Sequence, residues 1–238
     1  MKRIVFLLLF FSFFMSLQSE TGQVDPSLEF LDENGKKVRL GDFFFKNRPV
    51  ILMPVYFKCP TVCNSQMNRV IEGVRASRFT FPEDFEIISV SFNHKEGAGL
   101  AKKKKDSYIK EYNLENDSWH FLTGREENIR KLTDSLGFEF FWATESSEYI
   151  HKPVTYFLTS NGRLIHGISG TRPDPKAIEM SIIEASEGEF ATFRDRILLF
   201  FFNFNPETGK YHLSLWRIIQ STIIFILVLV LLFRRLSR

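Results

Sequence analysis

Residues 55–70 read VYFKCPTVCNSQMNRV, and the only two cysteines of the 238-residue chain, Cys59 and Cys63, fall inside that window. They stand where an apolar run gives way to a polar one. Upstream, PVILMPVYF (49–57) is continuously apolar with β-branched and aromatic members, as expected of a central strand buried on both faces. Pro54 removes a ladder donor, which implies a bulge or a local edge. Downstream, NSQMNRVIEGVRASRF places Met67, Val70, Ile71 and Val74 at helical spacing. A strand, two cysteines and a helix form the unit around which the remaining segments are read.

FEIISVSF (85–92) is a second buried strand. GLAKKKKDSYIKEYNL (99–114) predicts a helix through Leu100, Tyr108, Ile109 and Tyr112, with Lys102 to Lys105 as its solvated face. WHFLTG (119–124) is a short strand or turn, and REENIRKLTDSLGF an amphipathic helix ending near Gly137. Asn34-Gly35 and Asn161-Gly162 each mark a hairpin. PDPKAIEMSIIEASEG opens with Pro at a helix entrance and closes at Gly188. Alternating βαβ units with a final antiparallel hairpin predict one α/β domain built on a layered sheet.

The two ends differ from this pattern. Residues 1–19, MKRIVFLLLFFSFFMSLQS, join Lys2 and Arg3 to a short apolar run and then to small and polar residues. That order reads as a secretory signal, with retention as an anchor the alternative. No cysteine ends the run, so lipoprotein processing is excluded. Near the other end, residues 215–233 form an apolar stretch of about 28 Å as a helix, enough to span a bilayer, with a buried core helix the alternative. Trp216 suits the interface, and Arg234, Arg235 and Arg238 suit a cytoplasmic tail, 234–238. The expected layout is an exported domain over 20–195, a juxtamembrane segment over 196–214 and one transmembrane helix. The net charge of +3 becomes −2 for residues 20–233 once these terminal basic residues are removed. A slightly acidic exported domain gives no footprint for nucleic acid.

In an exported, oxidising setting a cysteine pair is a disulfide, a redox couple or a metal site. As a staple it closes too short a loop to remove much chain entropy. At the start of a helix the free N–H groups favour a thiolate, and spacing i, i+4 brings two sulfurs to one face. Three residues separate the cysteines, one more than in the thioredoxin redox motif, and that wider bite also suits a metal. Two thiolates leave a coordination shell incomplete. Among five histidines, His151, at the end of a loop just before a core strand, is the first candidate for a third ligand, with His94 behind it. His120 reads as structural, His166 as solvent-facing on a hairpin arm, and His212 as interfacial. Two thiolates with an imidazole point toward copper rather than zinc.

VILMPVYFKCPTVC, FEIISVSF, WHFLTGREENIRKLTDSLGF and YIHKPVTYFLTSNGRLIHGISG together resemble the SCO/SenC family of copper-handling proteins with a thioredoxin-like fold. The resemblance covers roughly residues 27–190 and continues through EASEGEFATFRDRILLFFFNFNPETGKY to a bacterial subgroup with a C-terminal anchor. It implies helices on both faces of the sheet, copper, as Cu(I) or Cu(II), as the bound metal, Cys59, Cys63 and His151 as its ligands, and a role in assembling the copper centre of cytochrome c oxidase. The partner would then be the copper-site subunit of that oxidase or another periplasmic copper or thiol protein. The domain would sit on the periplasmic face of the inner membrane. The alternative is a periplasmic thiol–disulfide oxidoreductase, with Cys59 and Cys63 as catalytic residues, that keeps a partner's cysteines reduced. The chain departs from the family at Asn93-His94, where Asp-Pro is common, and at Asn64, where proline often follows the motif. Some anchored relatives carry Cys and His where Phe201 and Asn203 stand here.

Overall fold

The computed structural model describes residues 22–59, 62–114, 119–145, 147–187 and 191–236. The leading apolar segment, Pro60, Thr61, Gly188 and Arg238 lie outside the described residues. A first hairpin, β1 (Glu29–Leu31) and β2 (Lys37–Arg39), turns at Gly35, whose φ of 77° suits a residue without Cβ. The main sheet has five strands: β3 (Val50–Val55), β4 (Glu86–Ser91), β5 (Trp119–Leu122), β8 (Val154–Leu158) and β9 (Leu164–Ser169), in the order β5-β4-β3-β8-β9. Every residue of β3 and β4 is buried, β3 as its unbroken apolar run requires and β4 with Glu86, Ser89 and Ser91 buried among its apolar residues. Strand β3 runs parallel to β4 over Val50–Val55 but pairs with β8 only over Val50–Leu52. Pro54 therefore lies beyond the β8 ladder, at the local edge its chemistry demands.

Helices α1 (Val62–Ala76), α2 (Ala98–Tyr112), α3 (Glu126–Leu136) and α4 (Pro175–Ala185) cover the two faces of this sheet. Helix α1 buries Met67, Val70, Ile71 and Val74, the spacing read from the sequence. Its Gly73 admits Ile178 of α4, whose Cδ1 would lie 2.4 Å from an added Cβ. Helix α3 ends at Gly137 in the left-handed conformation. Helix α4 is capped by Asp174, with Pro175 in the first turn, and ends at Ala185, three residues before Gly188.

Three expectations are corrected. The lysine run is not uniformly solvated: α2 buries Ala101, Lys105 and Tyr108, and Lys105 Nζ lies 2.5 Å from Glu33 Oε1 inside the protein. His151 does not end a loop. It closes β7 (Glu148–His151), which pairs antiparallel with β6 (Phe140–Ala143), Phe140 opposite His151. His166 does not face solvent, because a later part of the chain covers it.

That part is helix α5 (Phe193–Phe201), which runs across residue 195, followed by the hairpin β10 (Phe202–Asn205) and β11 (Lys210–Leu213). Phe204 stacks on the His166 ring at 3.8 Å, and Tyr211 donates to Glu184 Oε2 at 2.6 Å. Asn203 is exposed opposite His212, and Phe201 packs edge-on against Phe200. Helix α6 (Leu215–Leu236) follows, long and apolar enough to cross a membrane, and none of its residues is buried. A core helix of the domain would be covered; this one is bare.

Burial holds the His166 imidazole down at about 4, from 6.5, with Ser181 Oγ at 2.8 Å, Glu184 at 3.7 Å (its carboxylate already accepting from Tyr211) and the Tyr211 ring edge-on beside it. The unfolded chain then binds the proton more tightly, so stability is complete above pH 6.5 and falls as pH drops toward 4. The loss amounts to about 3 kcal/mol at full effect. Denaturant titrations of the full chain at several pH values should show this component vanish in His166→Phe, which keeps the ring stack.

Candidate metal and thiol site

The site is built where β3 leaves the sheet. Beyond Val55 the chain turns at Tyr56–Cys59, with the Cys59 N–H donating to the Tyr56 carbonyl at 3.1 Å, and α1 opens at Val62. Two N–H groups of that turn, left without a strand partner, are held by one carboxylate. Glu96, six per cent exposed, accepts from Phe57 N–H at 2.7 Å, Lys58 N–H at 2.9 Å and Ser91 Oγ–H at 2.7 Å. It thereby ties the ends of β3 and β4 together just ahead of the first cysteine.

Cys59 and Cys63 are both buried, Cys63 completely. They are not two turns of one helix face. Cys59 precedes α1, and its Sγ accepts the Cys63 N–H at 3.3 Å, the place a capping side chain takes at a helix start. The helix start does not by itself favour the Cys63 thiolate. Its thiol is pushed well up, first by hydrogen bonding with Cys59 and then by burial. The Tyr56 hydroxyl is likewise raised, by burial first and then by a hydrogen bond with Cys59.

His151 arrives from 88 residues away on β7, with Nε2 at 3.8 Å from Cys63 Sγ. Its Nδ1 lies 3.2 Å from the Lys152 carbonyl, which can only accept. Nδ1 therefore carries the hydrogen, and Nε2 turns its lone pair to the sulfur. Burial lowers the pKa of His151, against weaker opposing effects of the Lys152 carbonyl and Cys59, so the neutral ring is favoured. Phe92 at 4.9 Å, Phe138 at 5.6 Å and Tyr56 at 6.3 Å enclose the ring, and Tyr149 on the same strand donates to Asn93 Oδ1 at 3.3 Å.

Among the described residues, no three His, Cys, Asp or Glu side chains stand close enough as they are to hold a metal ion. His94 stays outside this cluster, half-exposed at 3.8 Å from Glu126. His120 packs on Phe43 and faces Glu86 at 3.3 Å, a structural setting, and His212 is exposed near the start of α6. Sequence reasoning missed Glu96, Asn64 and Lys104. Asn64, where the family often has proline, donates to the Cys59 carbonyl at 3.4 Å and accepts from Lys104 Nζ at 2.7 Å. The phase of α2 carries the signal: positions 101, 105 and 108 share one face, so part of the lysine run had to turn inward.

A model of the SCO1/SenC family matches residues 17–186. The chain belongs to the SCO1/SenC family. No curated protein matches it by sequence. Among solved structures it is similar to a candidate electron transfer protein of Aquifex aeolicus VF5, at 21% identity over 72% of this chain and 97% of that one, with a TM-score of 0.63. It is also similar to BsSco, a Sco-family cytochrome c oxidase assembly protein studied for a disulfide switch (23%, 70% and 95%, 0.55). A third is Arabidopsis thaliana ScoI with copper bound (16%, 71% and 99%, 0.53). At these identities the likeness establishes the SCO fold.

The Glu96→Gln change replaces an acceptor for two backbone N–H groups by an amide that also turns a donor toward them. We expect a loss of about 1–3 kcal/mol in a denaturant titration, with Glu96→Asp recovering part of it.

Proposed function

We propose that this SCO1/SenC protein is a membrane-tethered copper chaperone that helps assemble the copper centre of cytochrome c oxidase, with Cys59, Cys63 and His151 as its ligands. The observation that carries the reading is the approach of His151 Nε2 to Cys63 Sγ at 3.8 Å across 88 residues of sequence. A metal about 2.3 Å from sulfur and 2.0 Å from nitrogen, at a trigonal angle, separates those donors by about 3.7 Å. The thiol and ring are thus already a metal's width apart, and Cys59 Sγ, which accepts the Cys63 N–H at 3.3 Å, would have to turn to complete the set. Two soft sulfurs with one imidazole suit copper. A three-donor site lets the cargo leave by exchange onto a partner's cysteines. Copper bound to Arabidopsis thaliana ScoI supports the same cargo here.

The layout supports tethering: an apolar leader over 1–19, a domain over 20–195, a juxtamembrane segment over 196–214, a span over 215–233 and a basic tail over 234–238. On this reading the domain stands on the periplasmic side of the inner membrane, where the anchor raises its effective concentration near a membrane-bound oxidase.

One observation favours a second reading. Cys59 is five per cent exposed and Cys63 fully buried with a raised thiol pKa. That asymmetry suits an attacking and a resolving cysteine in a thiol–disulfide oxidoreductase acting on a partner's disulfide. BsSco's disulfide switch belongs to the same chemistry.

Anaerobic copper(I) titration of the full chain in detergent against a competing chelator separates the two. One copper per chain, with affinity at least about tenfold weaker in His151→Ala, supports the chaperone. Unchanged copper affinity in that variant contradicts it. Under the reductase reading, Cys59→Ser and Cys63→Ser each abolish reduction of a disulfide substrate while His151→Ala leaves the rate nearly intact.

A further inference from the structure

Helix α5 presents two faces of opposite character. Inward, Asp195 is three per cent exposed and accepts from both terminal guanidinium nitrogens of Arg78, Nη1 at 3.1 Å and Nη2 at 2.6 Å, while its carboxylate also closes the capping box with Thr192. This bidentate pair fixes the rotation of the helix. The outward face therefore has no freedom to turn in, and it is apolar: Phe193 is 80% exposed, Ile197 41% and Phe200 51%. At 100° per residue these three positions fall within about 60° of one another, with exposed Arg194 and Arg196 on opposite flanks. An apolar stripe bordered by arginines on both sides is the pattern of a helix lying in a membrane interface, where guanidiniums reach up to phosphates.

The position of α5 agrees with its pattern. Its C-terminal end is fastened to the first turn of α6, the candidate span. Ser214 N–H donates to the Phe201 carbonyl at 2.7 Å, and Arg217 Nη1 donates to the carbonyls of Phe200 at 2.7 Å and Leu199 at 3.1 Å. The Arg217 guanidinium also lies over the Phe200 ring at 5.7 Å. Trp216, 65% exposed, and Arg217 mark the water–lipid boundary on α6. The stripe on α5 is thus held at the level where the chain enters the bilayer.

We propose that α5 docks through Phe193, Ile197 and Phe200 into the surface of the membrane crossed by α6, with Arg194 and Arg196 on anionic lipid headgroups. Together with the Arg78–Asp195 pair, this contact makes the domain a body seated on the bilayer rather than one swinging from a flexible tether. The inference rests on the reading of α6 as a span, and the test separates the two.

Nitroxide labels are placed one at a time at I197C, V228C and K102C in a full chain carrying Cys59→Ser and Cys63→Ser. The chain is reconstituted in vesicles of phosphatidylcholine and phosphatidylglycerol, and collisions with oxygen and with a water-soluble nickel complex are compared. All three labels replace exposed residues, and far-UV circular dichroism checks the fold. V228C reports the span and K102C the solvent. The proposal expects I197C to lose most of its nickel collisions and gain oxygen collisions, in the direction of V228C. I197C as accessible to nickel as K102C, with V228C in lipid, overturns the docking of α5 and leaves the anchor standing. V228C accessible to nickel overturns the anchor and the docking with it. I197C shielded from both reagents with dipolar broadening places a second copy on the stripe and also overturns the proposal.

Discussion

One buried carboxylate holds the site together. Where β3 ends, Phe57 and Lys58 present N–H groups that the sheet no longer serves, and Glu96 takes both while binding Ser91 of the neighbouring strand. An unpaired N–H in that setting would cost as much as several good packing contacts contribute. With those groups satisfied, the chain can turn sharply enough for Cys59 to stand at the mouth of α1 and accept the Cys63 N–H. The position of each sulfur follows from that turn.

The third donor depends on a different element. The β6–β7 hairpin forms a two-stranded sheet of its own and delivers His151 as its final residue, with Phe140 opposite it. Phe92, at the end of β4, packs against Phe138, Phe140, Tyr149 and His151, so the strand that carries Ser91 also seats the histidine. The same aromatic packing dries the imidazole and keeps it neutral, which leaves Nε2 free to bind a soft cation when the thiols do. Sheet, turn and hairpin therefore act as one support for three soft donors.

The local parts of this arrangement were legible in the sequence. Two buried strands, the helix through Met67, Val70, Ile71 and Val74, and the turns at Gly35 and Gly162 all rest on short-range patterns, and the structure has them where those patterns fall. The candidate ligands were named from the cysteine spacing and the family resemblance, and the structure brings His151 to Cys63. What was hidden depends on partners distant in sequence. Glu33 and Lys105 are 72 residues apart, and nothing near either marks a buried pair. His166 looked like the outer arm of a hairpin because Phe204 and Tyr211, which cover it, belong to a segment read as juxtamembrane. The β6–β7 hairpin lacks an Asn-Gly or Asp-Gly turn and carries apolar residues on both faces, so its alternation gave no period to read. The i, i+4 argument for the cysteines assumed a helix that starts at Cys59; it starts at Val62.

On the proposed reading, one copper ion sits between Cys59, Cys63 and His151. X-ray absorption at the copper edge of the loaded full-length chain tests it most directly. A first shell of two sulfurs and one imidazole nitrogen is expected, with the nitrogen contribution absent in His151→Ala. A shell of sulfur alone in the parent protein, or an imidazole signal that survives His151→Ala, would contradict it.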